Sequence, residues 1–183
     1  MVARGAAPRY YVSMPDSPNS TRRCSIRLPG HDYAQPGIYF ITICAQDRRC
    51  LFGDIENCEL RHNAAGRLIS FWWEKLPEKY PYVMLDAFVL MPNHLHGILH
   101  ITDIGGVAGR PHGAAPTLGM MVAWFKSMTT NAYIRAIRTQ DWPAFDSRLW
   151  QRNFYEHIVR NERELDSIRE YILNNPAAWS SDR

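Results

Sequence analysis

The stretch VMLDAFVLMPNHLHGILHI at residues 83–101 holds two apolar runs broken at Pro92-Asn93. Each run is short for a packed helix, and the second ends β-branched, so both read as strands. GIYFITIC, after Pro36-Gly37, is β-branched and aromatic and reads as a first, central strand; a shorter strand is expected near CELRH. Asn63 offers an N-cap for a helix that carries Leu68, Ile69, Trp72, Trp73 and Leu76 at spacings of three and four and stops at Pro77. Thr117 caps a second helix, whose Leu118, Met121, Val122, Phe125, Met128, Ala132 and Tyr133 form an apolar stripe that reads as core. RLWQRNFYEHIV reads as a last strand or strand-like segment. NERELDSIREYILNN reads as the final helix, with Leu165, Ile168 and Ile172 inward and an end at Pro176, which disfavours helical backbone at Asn175.

The order of elements is therefore strand, helix, strands, helix, strand, helix. That is an α+β chain with an antiparallel sheet and flanking helices, the ferredoxin-like (RRM-like) pattern. At 183 residues the chain fits one domain, placed at 36–183, preceded by a Pro-, Ser- and Arg-rich stretch at 1–35 that reads as a mobile or surface-draped arm. DIGGVAGRPHGAAP, at 103–116, reads as a flexible connection; it lacks the Gly-Lys-Ser/Thr ending of a phosphate-cradling loop.

Hydrophobic residues at 46% and charged residues at 21% point to a packed globular core and exclude disorder. No apolar run is long enough to span a bilayer and the N-terminus lacks a secretory stretch, so a cytoplasmic protein is expected. Cys24, Cys44, Cys50 and Cys58 show no CxxC spacing and read as reduced thiols. A net charge of +3 permits an anionic partner. Arg22/Arg23/Arg27, Arg48/Arg49, Arg135/Arg138 and Arg148/Arg152 are local clusters able to touch phosphate.

His94-Leu95-His96 is the sharpest chemical feature. On a strand, residues i and i+2 share a face about 6.6 Å apart, so two imidazoles can converge on one ion while Leu95 enters the core. His100 has the same parity. Two histidines leave an ion with open positions, which suits activation of a phosphoryl oxygen. On the last helix, Tyr171 and Asn175 stand at i and i+4, on one face. The phenol could attack while the Asn175 amide oxygen completes the coordination. The bracketing of Tyr171 by Ile168 and Ile172 puts that phenol at the boundary of core and solvent. Tyr155, beside His157, stands as a second candidate nucleophile. Lys126, on the polar side of the second long helix, with Arg148 and Arg152, are the expected contacts to a nucleic-acid backbone.

MPNHLHGILHI, LWQRNFYEHIVRNERELDSIREYILNNP and YFITICAQDRRCLFGDI together resemble the HUH single-tyrosine transposases, in particular the REP-associated tyrosine transposase group, over residues 22–180. The resemblance implies that His94 and His96 bind Mg²⁺ or Mn²⁺ and that Tyr171 becomes linked to a 5′ phosphate with release of a 3′-OH. Many relatives carry Gln four residues after the tyrosine as a metal ligand; here that position is Asn175, and Asn174 or water are the alternatives. The implied substrate is single-stranded DNA with a palindromic hairpin, cut and rejoined without ATP. A homodimer, with the tyrosine acting in its own subunit or its partner's, is compatible with the resemblance.

Two other classes bear on the same residues. A hydrolase could use the His pair to activate water, although only Asp86 and Asp103 flank the strands and no HExxH pattern is present. A non-catalytic or domesticated single-stranded nucleic-acid binder could use the same sheet, although the RNA-recognition signature is absent. Tyr39, Phe40, Trp72 and Trp73 are expected in the core rather than on a stacking platform.

Overall fold

The structure, a computed structural model, describes residues 35–102 and 116–179. The N-terminal arm, most of the Gly-rich connection, and the sites placed at Arg22, Arg23, Arg27, Cys24 and Asp103 lie outside the described residues.

Among the described residues, strands and α-helices follow in the order β1 (Gly37–Cys44), β2 (Gly53–Glu56), β3 (Glu59–His62), α1 (Ala64–Glu74), α2 (Leu76–Lys79), β4 (Val83–Leu90), β5 (His94–Ile101), α3 (Leu118–Gln140), β6 (Tyr155–Val159) and α4 (Glu162–Ala178). Four strands form one sheet in the order β4-β5-β1-β6. All three pairings are antiparallel. With β2 and β3 set aside as a separate two-stranded ribbon, this is the ferredoxin-like arrangement, and β1 is central as its sequence suggests.

Strand parity divides the sheet into two faces. Tyr39, Ile41, Ile43, Leu95 and Leu99 enter a large core with Ile69 and Trp73 of α1 and Met121, Val122 and Phe125 of α3. Phe40, Ile98 and Val159 enter a second core with Leu165, Ile168 and Ile172 of α4. Gly97 belongs to the first face, where the Trp73 indole lies so close that an added Cβ would stand 2.4 Å from Cζ2 and 2.5 Å from Cη2. The glycine between the two strand halves is thus the space into which α1 packs.

Both helix N-caps read from the sequence are made: the Asn63 side chain accepts from the Gly66 N–H at 2.9 Å and Thr117 from the Met120 N–H at 3.3 Å. Three expectations need correction. Pro77 does not end helical structure but opens α2, near whose N-terminus its missing N–H costs nothing. Pro176 does not end the last helix, because α4 runs on to Ala178 and buries Asn175 and Trp179; that burial outweighs the proline's local cost. The last strand is shorter than expected, so Arg152 lies in the segment before β6 rather than on it.

Candidate active site

β5 presents His94, His96 and His100 on the face covered by α4, while Leu95 and Leu99 are buried on the other side. His94 Nε2 and His96 Nε2 lie 3.0 Å apart. Tyr171, half-buried on α4, brings its phenol oxygen to 3.3 Å from His96 Nε2. Phe40 lies beneath, its ring stacked on His96 with centroids 5.5 Å apart and meeting Tyr171 edge-on at 6.2 Å.

At the far end of α4, Trp179 stacks on His94, centroids 6.2 Å apart. Tyr171, Asn175 and Trp179 are spaced four apart, so they form one row along the helix. The row's ends touch His96 and His94, and Asn175 lies between them. Asn175 is 2% exposed and its Oδ1 has no hydrogen-bond partner. A buried amide oxygen without a donor is costly unless something else meets it.

The outer ring nitrogens are also held. His94 Nδ1 lies 2.6 Å from Asn93 Oδ1, and the Asn93 amide is oriented by donation from Nδ2 to the Arg48 carbonyl at 3.2 Å. Because Oδ1 can only accept, His94 carries its proton on Nδ1. Thr42 Oγ1 lies 2.8 Å from His96 Nδ1, since Thr42 is the register partner of His96 across β1 and β5.

Burial, with the Arg48 charge nearby, holds the His94 imidazole down at about 4. Burial, with His94 beside it, holds His96 well below 6.5. Both rings are therefore neutral at physiological pH, the form that ligates metal. A divalent ion fits this donor set on three observations: two neutral imidazoles aim Nε2 at one place, their 3.0 Å separation matches neighbouring ligands of a six-coordinate ion at about 2.1 Å, and the Asn175 oxygen is left over. Among the described residues no three His, Cys, Asp or Glu side chains form a metal cluster, so Asn175 and solvent would have to complete the set.

The remaining sequence candidates fall elsewhere. Tyr155 is on the same face of the sheet, paired across from Thr42, and packs against Phe40 at 6.3 Å. His100 bonds Asp86 at 2.8 Å. Lys126 is not a free surface cation: its Nζ donates to the carbonyls of Gln151 at 2.9 Å, Arg152 at 3.4 Å and Asn153 at 3.0 Å, and burial lowers its pKa to about 8. Arg148 and Arg152 are exposed along a groove shared with Lys126, Ser127 and Asn131. That segment is tied to the site's end of the sheet, because the Gln151 N–H donates to the Cys44 carbonyl and Cys44 is the register partner of His94.

Sequence reading missed Thr42, Asn93, Trp179 and a clamp on α4. In that clamp Arg169 donates to both Asp86 carboxylate oxygens, Nε at 3.0 Å and NH2 at 2.6 Å. The clamp lies at an irregularity in β4, and the Arg169 guanidinium holds the Asp86 carboxyl down at about 2. Of these only Asn93 carried a signal, as the residue directly before the His pair.

A scan of known protein families finds no match. A Haemophilus influenzae protein of uncharacterized role is 39% identical over 175 residues, 88% of this chain and 92% of that protein. A second protein of that organism, named "Putative REP-associated tyrosine transposase", is 25% identical over 149 residues, 79% of this chain and 73% of that protein. In fold the chain is similar to a solved REP-associated tyrosine transposase bound to a REP hairpin, with a TM-score of 0.56, 20% identity, and coverage of 80% of this chain and 70% of that one. The chain belongs to one family with the Haemophilus influenzae protein that it matches at 39% identity, and it is related to the REP-associated tyrosine transposases in sequence and in fold.

Proposed function

We propose that this chain cuts and rejoins single-stranded DNA beside a hairpin, with Tyr171 as nucleophile and a divalent ion, Mg²⁺ or Mn²⁺, held by His94, His96 and Asn175. The observation that carries the reading is the approach of the Tyr171 oxygen to 3.3 Å from His96 Nε2, which brings a phenol beside two converging imidazoles. The relative solved with a REP hairpin supports hairpin DNA as the substrate class.

In the first step the Tyr171 oxygen bonds to phosphorus as the bond from phosphorus to the 3′ oxygen breaks. The phenol proton leaves to solvent and the departing 3′ oxygen takes one up. The 5′ side of the break stays on the protein as a phosphotyrosine. A later attack by a 3′-OH reverses these bond changes and joins a strand, with no external energy source. The bound ion would supply charge neutralisation at the phosphoryl oxygens. Phe40 meets the Tyr171 ring edge-on and holds its direction, and Trp179 stacks on His94. Arg48, close enough to His94 to depress its pKa, and Arg152 would hold phosphates flanking the break.

The test is incubation of the protein with end-labelled hairpin DNA and Mn²⁺, followed by denaturing electrophoresis. A covalent protein–DNA band that requires the metal is expected. Cleavage without such a band would replace this reading with hydrolysis by activated water.

A further inference from the structure

We propose that Thr42 is a positioning residue for metal binding: its hydroxyl lets His96 pass between a tautomer paired with His94 and one that offers a bare Nε2 to a divalent ion. The proposal rests on the reading of His94 and His96 as ligands.

The starting point is a proton order fixed from outside the pair. The Arg48 carbonyl accepts from Asn93 Nδ2, so Asn93 Oδ1 faces His94 and takes the proton of its Nδ1. A neutral His94 then has a lone pair on Nε2. His96 Nε2 lies 3.0 Å from that lone pair, and two bare nitrogens at this distance would repel. In the metal-free protein His96 therefore carries its proton on Nε2 and donates it to His94, with the Tyr171 oxygen at 3.3 Å as the weaker second acceptor. Its Nδ1 is then bare and accepts from the Thr42 hydroxyl at 2.8 Å.

A metal ligand needs the opposite arrangement at His96. Nε2 must be bare, so the proton sits on Nδ1, and that N–H needs an acceptor in a buried place. Thr42 Oγ1 can fill either role, since a hydroxyl both donates and accepts; a backbone carbonyl could serve only one tautomer and a backbone N–H only the other. No net proton is lost in the exchange, which moves one proton from Nε2 to Nδ1 through solvent. His94 needs no such freedom, because Asn93 already fixes its ligand-competent tautomer. The two histidines thus have different neighbours for different tasks: one ring is locked and the other is convertible.

Thr42→Val keeps the branched shape and the strand but removes both hydrogen-bonding roles. The metal-bound state then holds a buried N–H without an acceptor, and the ring loses the polarisation that strengthens Nε2 as a ligand. Such partners of metal-ligating histidines contribute about 10-fold to 100-fold in affinity. Thr42→Ser keeps the hydroxyl.

The experiment measures Mn²⁺ affinity of the full chain by electron paramagnetic resonance for the wild type, Thr42→Val and Thr42→Ser, with thermal unfolding as a control. Ring ¹⁵N spectra report the His96 tautomer without metal. Expected are an unprotonated His96 Nδ1 in the metal-free wild type, about 10-fold to 100-fold weaker Mn²⁺ binding in Thr42→Val, and near wild-type binding in Thr42→Ser. Equal affinity of wild type and Thr42→Val overturns the role of Thr42 and leaves the metal site standing. Equal loss in the Ser and Val variants assigns the effect to packing and overturns it as well. A protonated Nδ1 in the metal-free protein removes the exchange itself. No Mn²⁺ binding by the wild type overturns both the site and the proposal.

Discussion

The phenol oxygen of Tyr171 stands 3.3 Å from Nε2 of His96, a residue 75 positions earlier in the same chain. The proposed nucleophile and a proposed metal ligand therefore meet within one subunit. Tyr171→Phe removes the oxygen and leaves the edge-on contact with Phe40, so stability should change by no more than about 0.5 kcal/mol. Covalent capture of DNA should vanish while hairpin binding persists. Tyr155→Phe should still form the adduct. The reverse pattern in the two variants would transfer the nucleophile to Tyr155.

Asn175 gives a prediction of opposite signs. Its buried Oδ1 lacks a donor, so Asn175→Ala should cost less stability than an ordinary buried polar truncation. Metal affinity should nonetheless fall, by about tenfold or more, if that oxygen is a ligand. Calorimetric Mn²⁺ titration beside urea unfolding separates the two. Unchanged affinity would assign the third position to solvent.

The metal-free protein should weaken with acid in a defined window. Burial holds His94 at about 4 and His96 well below 6.5 in the fold, whereas the unfolded chain protonates these rings near 6.5. The folded state binds fewer protons in that interval. The stability from keeping them neutral is complete above pH 6.5 and is lost as pH falls toward 4, at up to about 1.4 kcal/mol per pH unit for each proton. Asp86, held at about 2, acts in a lower window, below its unfolded value of 3.8. Urea midpoints in chelator at pH 7, 6 and 5 should decline, and less steeply in a His94→Gln, His96→Gln double variant. Parallel slopes would remove the histidines from the account.

Arg169 anchors α4 to β4 through both oxygens of Asp86, two residues from Tyr171. The pair is open to solvent on the Arg169 side, so Arg169→Ala should cost little stability. Adduct formation should slow more than tenfold, because Tyr171 loses its fixed approach, while Mn²⁺ affinity changes little. An equal fall in both would mean that the clamp supports the whole site rather than the helix.

Gly97→Ala should destabilise the fold by about 1–3 kcal/mol, because the new methyl would overlap Trp73 and force α1 off the sheet. A shift of the urea midpoint with an unchanged slope is the expected signature. A wild-type midpoint would show that the indole can yield.

The fold was largely legible because its signals are local. Alternation in GIYFITIC and HLHGILHI sets which residues face α4, and Asn63 and Thr117 announce their helices. His94 and His96 follow from that same parity, and Asn175 from its spacing to Tyr171. What escaped depends on distant partners. Thr42 reads as an ordinary strand residue until it meets His96, 54 residues away. Lys126 reads as a solvent-facing lysine, yet three carbonyls from a loop 25 to 27 residues later surround it. Pro176 reads as a stop because the rule concerns local backbone. The burial of Trp179 against His94 is a tertiary gain that no local rule contains.

The row Tyr171, Asn175 and Trp179 also sets an order of assembly during synthesis. Both histidines leave the ribosome with β5, long before α4 exists, so the nascent chain holds its imidazole pair without the tyrosine, the amide or the covering indole. Tyr171 arrives 75 residues after His96, when all four strands of the sheet have already been made. The candidate site is therefore completed only when α4 is made, and a chain that ends before α4 holds the histidine pair without the proposed nucleophile, the amide or the covering indole.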